Sequence, residues 1–189
     1  MDQTSQPNRR ILRFSAAPSS CAEDGLSVRE PAESYLILPS DLLCKTMDGL
    51  QKRSAGWRES AGVWAGHVTE DHRWQAEELY LHHDLCDDRG TPLSLELTEA
   101  AKFRLYENLA LQQLRLVALI HTHPRAWVDL SVVDQSNQLG SRVGFWSVVV
   151  PWYARTPWRV GAMGFHVRRP TGWYRLSASE VRKRVQIRE

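Results

Sequence analysis

Apolar and polar positions repeat along this chain with two different periods, and the change of period marks its elements. Leu116-Val117-Ala118-Leu119-Ile120 is a continuous apolar run, and Val143 to Val150 is nearly so. Short runs of this kind are the pattern of strands buried on both faces. Tyr35 to Leu38 is a β-prone run closed by Pro39. Ser40 and Asp41 then offer an N-cap for a helix to about Gln51, with Leu42, Leu43, Met47 and Leu50 near helical spacing. Glu59 to Val68 reads as a strand, and its small residues Ala61, Gly62 and Gly66 imply close backbone approach. Glu77 to Leu81 is a further strand, and His82 to Pro92 a loop with a turn at Asp87-Asp88-Arg89-Gly90. Thr98 to Gln113 is the clearest helix: Thr98 caps it, Glu99 sits in its first turn, and Phe103, Tyr106, Leu109, Ala110 and Gln113 form its stripe. Ser131 to about Leu139 predicts another helix. Arg159 to Val167 and Trp173 to Leu176 predict a hairpin around Pro170-Thr171-Gly172. Ser177-x-x-Glu180 is the capping-box signature of a basic C-terminal helix. Strands and helices alternating on this scale predict a mixed α/β sandwich.

Residues 1 to about 33 are rich in Ser, Pro, Gln, Ala and charge, without periodicity, and are expected to form a flexible arm. The domain is expected over residues 34–189, with 159–189 as its extension; a length of 189 residues suits one domain. Composition changes this picture little. With 42% hydrophobic and 24% charged residues and a formal charge of +2, the chain carries no strong nucleic-acid footprint. Cys21, Cys44 and Cys86 are odd in number and lack CxxC spacing, which fits a reducing compartment. No apolar stretch approaches a membrane span, and no long apolar region follows Arg9-Arg10, so neither span nor signal peptide is expected; the expected location is the cytoplasm. Tryptophan is the unusual residue. The eight present are read first as packing residues and second as an aromatic surface for a partner.

The candidate chemistry lies in Ile120-His121-Thr122-His123-Pro124-Arg125-Ala126-Trp127-Val128-Asp129-Leu130-Ser131-Val132-Val133-Asp134. At i and i+2 of a strand, the His121 and His123 imidazoles project to one side. Pro124 cannot continue a central ladder, so both sit at the strand's end. Ser131 and Asp134 share a face if they lie on a helix. Ser-x-x-Asp is also an ordinary cap and HxH recurs by chance; the two together, closely spaced after a buried strand, point to a site. Two imidazoles and one carboxylate make a three-ligand zinc site with its fourth position open to water.

The pattern H-x-H-P-x6-S-x-x-D resembles the signature of the JAMM metalloproteases, also called the JAB or MPN+ family, at His121, His123, Pro124, Ser131 and Asp134. Glu59-Ser60-Ala61-Gly62-Val63-Trp64-Ala65-Gly66 is similar to the family's upstream E-x-G-G-x-L-x-G, with Ala61 in place of the first glycine and Trp64 in place of the aliphatic residue. The likeness spans roughly residues 34–152. It implies a JAB/MPN-type α-β-α sandwich with a central mixed sheet, cytidine-deaminase-like. It also implies one zinc ion held by His121, His123 and Asp134, Glu59 as general base, and Ser131 as donor to the oxyanion. The implied reaction is cleavage after the C-terminal glycine of a ubiquitin-like protein, from a conjugate or a precursor. The compact chain is most similar to bacterial members. Some of those resemble components of ubiquitin-like conjugation systems in antiviral defence, with activating and conjugating enzymes as neighbours; others process sulfur carriers or trim peptides.

Two other readings stay open: a binding scaffold that keeps the fold without turnover, and a nucleic-acid role like that of the RadC-like branch, whose usual HNHPSGDP differs from HTHPRAWVDL here. Among weaker residues, His82-His83 with Cys86 and Asp87 is read as a polar loop rather than a second metal site. Cys86 has nothing to activate it as a nucleophile. Trp127 either borders the substrate channel or packs its loop, and His166 is expected to be structural.

Overall fold

The computed structural model describes residues 33–85, 97–136 and 138–189, so the expected N-terminal arm lies, through residue 32, outside the described residues. The strands are β1 (Tyr35–Pro39), β2 (Ala61–Val68), β3 (Arg73–Leu81), β4 (Arg115–Thr122), β5 (Trp146–Val150), β6 (Gly164–Arg169), β7 (Gly172–Arg175) and β8 (Val185–Arg188). They form one sheet in the order β7-β6-β5-β4-β2-β3-β1-β8. The helices are α1 (Ser40–Ser54), α2 (His82–Leu85), α3 (Glu99–Leu111), α4 (Val132–Ser136) and α5 (Ala178–Arg184). Pairing is parallel for β1–β3, β1–β8 and β4–β5 and antiparallel elsewhere, so the fold is mixed α/β. No helix among the described residues is long and apolar enough to cross a membrane.

Side-chain alternation on β2 sets the layers. Trp64 faces α1, packing with Met47 and Leu50, and its indole N–H donates to Thr46 Oγ1 at 2.8 Å. Val63 and Ala65 face the other way, onto Ala101, Leu105 and Leu109 of α3. Helices therefore cover both faces of the sheet, the sandwich expected. Strand β2 carries an irregularity: its register shifts between Ala65 and Gly66 against β3 and between Trp64 and Ala65 against β4. A Cβ on Gly66 would stand 2.0 Å from the Gln75 carbonyl oxygen, so only glycine fits where β2 crowds β3.

Several boundaries differ from expectation. Helix α1 starts at Ser40 after Pro39, without a side-chain cap from Ser40 or Asp41, and runs to Ser54, where Ala55 in the left-handed region closes it. Strand β2 begins at Ala61, leaving Glu59 in the preceding coil. His82–Leu85 is a helical turn rather than loop; residues 86–96 of that expected loop lie outside the described residues. The α3 stripe is rotated. Ala101, Leu105 and Leu109 are buried while Phe103 and Tyr106 are exposed, because the small Ala101 lets the helix sit close to the sheet. The capping box at Ser177 and Glu180 forms as read, but the basic helix stops at Arg184 and gives way to β8. Arg184 ends it from within: its Nε–H donates to the Ser34 carbonyl at 2.8 Å and its guanidinium lies over the Trp146 ring.

Candidate metal centre

Strand register brings the site together. β4 and β5 run parallel, while β2 starts where β4 ends, with Ala61 opposite His121. Continuing that register sets Ser60 beside Thr122 and Glu59 beside His123. Two hydrogen bonds fix it beyond the last strand residue: the Ser60 N–H donates to Thr122 Oγ1 at 2.9 Å, and the Thr122 N–H to the Ser60 carbonyl at 2.9 Å. Glu59 is two residues before Ala61 and thus on the face that carries His121. Ser60 Oγ, turned the other way, is bonded to the Leu50 carbonyl at 2.8 Å. Thr122 and Ser60 are positioning residues absent from the sequence reading; the signal for them was a polar residue between two histidines at the end of an apolar strand.

The expected Ser131 helix shortens to α4, beginning at Val132, and a 3-10 turn follows at Gln138–Gly140. The Asp134 N–H donates to Ser131 Oγ at 3.1 Å, and the Ser131 N–H to Asp134 Oδ2 at 2.7 Å. The cap and the candidate ligand are thus the same atoms: the capping pair holds the carboxylate against the histidines. His121 Nε2 and His123 Nε2 stand 3.1 Å apart; Asp134 Oδ1 is 3.4 Å from the first, and Oδ2 3.6 Å from the second. Donor atoms at about 2.0–2.2 Å from one tetrahedral zinc are about 3.3–3.6 Å from one another. The three residues therefore have the chemistry and the spacing to hold a metal ion, and they are the group of this kind among the described residues.

His123 is aimed by its surroundings. Its Nδ1 is 3.0 Å from the Trp127 carbonyl, which assigns the ring proton to Nδ1 and leaves Nε2 free to bind a cation. The Trp127 ring stacks on it at 4.9 Å and 13°. Its own N–H and carbonyl are tied to Val150 and Tyr153 at 2.9 Å each. Of the two expected roles for Trp127, the structure shows packing: the ring stacks on His123, with half of it left exposed, and it is not among the residues lining the groove beside His121.

Electrostatics follow the same map. Burial pushes Asp134 up, but hydrogen bonds and charge from His121 and His123 outweigh it and hold the carboxyl well below the ordinary range. Burial pushes His123 down, yet Asp134, the Trp127 carbonyl and Glu59 together raise it. Burial raises Glu59; His123 and His121 oppose this in part, while Asp134 adds to it. A carboxylate raised in this way beside two imidazoles is a better proton acceptor than an exposed one.

An apolar groove lined by Val63, Tyr80, Leu85, Leu97, Leu119 and Leu139 ends on His121 and Asp134. His82 also borders it. Cys86 and Asp87 lie outside the described residues. His166 on β6 is buried and is not one of the three donors, with neither ring nitrogen hydrogen-bonded.

No protein-family model matches the chain, and no curated protein matches it in sequence. Solved structures do. A protein from Desulfitobacterium hafniense, determined in solution, is 15% identical with a TM-score of 0.55, covering 82% of this chain and 93% of that one. One from Salinibacter ruber, also in solution, is 16% identical with a TM-score of 0.50, covering 80% and 91%. A JAB1/MPN domain protein from Archaeoglobus fulgidus is 15% identical with a TM-score of 0.43, covering 80% and 98%. At these identities the first two matches establish a shared mixed α/β fold.

Proposed function

We propose that this chain is a zinc-dependent peptidase or isopeptidase that cleaves after the terminal glycine of a ubiquitin-like protein. The observation that carries the reading is the triangle of His121, His123 and Asp134 donor atoms with the Glu59 carboxylate beside it. The JAMM-like motif at the same positions supports it. Zinc, when bound, supplies a Lewis acid and an acidified water.

The chain's own residues divide the remaining work. Glu59 accepts the proton of the attacking water and returns it to the leaving amine, a role that its place beside His121 and His123 suits. Ser131 Oγ accepts the Asp134 N–H, which leaves its own hydroxyl hydrogen to donate to the developing oxyanion. The groove beside His121 is lined mainly by apolar side chains, and an extended main chain with glycines at the scissile end is the proposed occupant. A ubiquitin-like modifier and its conjugates are the proposed partners, with activating and conjugating enzymes as functional neighbours.

Metal analysis tests this without knowledge of the substrate. Purified wild type should hold about one zinc per chain and His123→Ala little. Glu59→Gln should keep the metal and lose turnover of Gly-Gly-linked fusions. A zinc-free wild type after reconstitution would leave a scaffold, and near-normal turnover in Glu59→Gln would remove the base.

A further inference from the structure

Three loops meet around the mouth of the site, and they share a composition that the chemistry does not require. They are the turn after α1, the loop after β4 and the loop after β5. The Arg155 guanidinium donates to the Gly56 carbonyl at 3.0 Å, joining the first to the third. The Trp152 N–H is 3.3 Å from the Arg125 carbonyl, and the Tyr153 N–H 2.9 Å from that of His123, joining the third to the second. Trp152, Tyr153 and Ala154 all have φ of 56°, a left-handed run that non-glycine residues rarely adopt. It sustains these backbone bonds while leaving the Trp152 ring in solvent.

Each loop exposes one tryptophan: Trp57 is 61%, Trp127 50% and Trp152 53% accessible. Stacking on His123 covers one face of the Trp127 ring; half of that ring, and more than half of Trp57 and Trp152, stays open to solvent. The charge is equally one-sided. Residues 55–58, 124–128 and 151–159 carry four cations (Arg58, Arg125, Arg155 and Arg159) and no aspartate or glutamate, and Lys52 and Arg53 in the last turn of α1 make six. The whole chain is only +2, so this concentration is local. None of the six forms an ion pair among the described residues, whereas Asp129, next along, is already taken by Arg175 at 2.6 Å. Arg58 lies over the Trp57 ring at 5.3 Å, which pairs an aromatic and a cationic contact at one point.

We propose that this aromatic and basic rim docks an acidic polypeptide segment flanking the scissile bond. The choice of a polypeptide rests on the peptidase reading. It also rests on charge. A phosphodiester would bring a negative charge at every residue, including those passing the apolar groove beside His121. A peptide carries charge only on side chains, so its neutral main chain enters while flanking carboxylates meet the arginines and apolar groups meet the indoles.

Binding to the full, zinc-loaded chain is read by fluorescence anisotropy with three probes. They are a peptide with a central Gly-Gly flanked by glutamates, its glutamine counterpart, and a single-stranded oligodeoxynucleotide of equal charge. The glutamate peptide should bind about tenfold more tightly than the glutamine peptide, and the preference should fade with salt. Arg125→Glu with Arg155→Glu should erase it, the paired Lys variants should restore much of it, and Trp57→Ala should weaken both peptides severalfold. Zinc content should stay unchanged throughout. Equal binding of the two peptides, tighter binding of the oligonucleotide, or indifference to charge reversal would each overturn the proposal. Glutamate preference in a chain that never hydrolyses Gly-Gly fusions supports the docking face while counting against the peptidase; turnover without charge preference does the reverse.

Discussion

At the scale of single residues, the site depends on groups that do two things at once. Trp127 offers a carbonyl to His123 Nδ1 and a ring to its face. Removing the ring leaves the backbone bond but frees the imidazole to rotate. Trp127→Ala should weaken zinc affinity by about tenfold, within the range for outer partners of metal ligands, while Trp127→Phe keeps most of it. Competition with a chelator measures this, and equal affinities in all three proteins would remove the ring from the metal's support. Ser131 is doubly used as well, as cap of α4 and as the proposed oxyanion donor. Ser131→Ala should cost about 1 kcal/mol of stability through the cap and about a hundredfold or more in turnover through the donor. Zinc should stay bound, because the Ser131 N–H that steadies Asp134 belongs to the backbone. A variant as active as wild type would leave Ser131 a cap alone.

At the scale of elements, the end of β4 and the start of β2 are held in register by Thr122 and Ser60, and this register sets Glu59 opposite His123. Thr122→Val keeps the shape and removes the acceptor of a buried N–H. It should lower stability by about 1–3 kcal/mol and reduce turnover more than zinc binding, since Glu59 loses its anchor and the histidines do not. Denaturant unfolding and metal analysis on one preparation separate the two effects; unchanged turnover would mean that the strand pairing alone places Glu59. How much of this was legible beforehand follows from the range of each interaction. HTHP, Ser131 and Asp134 lie within one short stretch, where local spacing determines which side chains share a face. Glu59 was found by likeness to a family motif, because its neighbours in space come from β4. The α3 stripe was misread for a related reason: Phe103 and Tyr106 are more apolar than Ala101, yet closeness to the sheet chose the small residue. Strand β8 was invisible because Val185 to Arg188 becomes a strand by pairing with β1, the far end of the chain.

At the scale of the whole molecule, the sheet carries a buried group whose protonation opposes folding. His166 is paired across β6 with Ser147 of β5 and Arg175 of β7, is 3% exposed, and has no hydrogen bond on either ring nitrogen. Burial pushes it down from 6.5 to about 4; the nearby Ser147 backbone resists this, Arg175 and His121 add to it, and Asp129 offsets it in part. The folded chain thus keeps this histidine neutral where the unfolded chain protonates it. Its contribution is full above 6.5, because both states are then neutral, and it is lost as pH falls from 6.5 towards 4, because only the unfolded state gains the proton. A shift of this size corresponds to about 3 kcal/mol by the bottom of that window. Asp134 and Glu180, held low, weaken folding only as their unfolded counterparts titrate, nearer 4, whereas Glu59, held high, acts with the opposite sign. Comparing wild type with His166→Leu cancels those carboxylates. Denaturant unfolding of the two metal-free proteins at intervals from pH 7.5 to about 4.5 should give wild-type stability a slope that the variant lacks. Parallel stability curves would show that water or a neighbour satisfies His166, and that the acid sensitivity of the fold resides in its carboxylates.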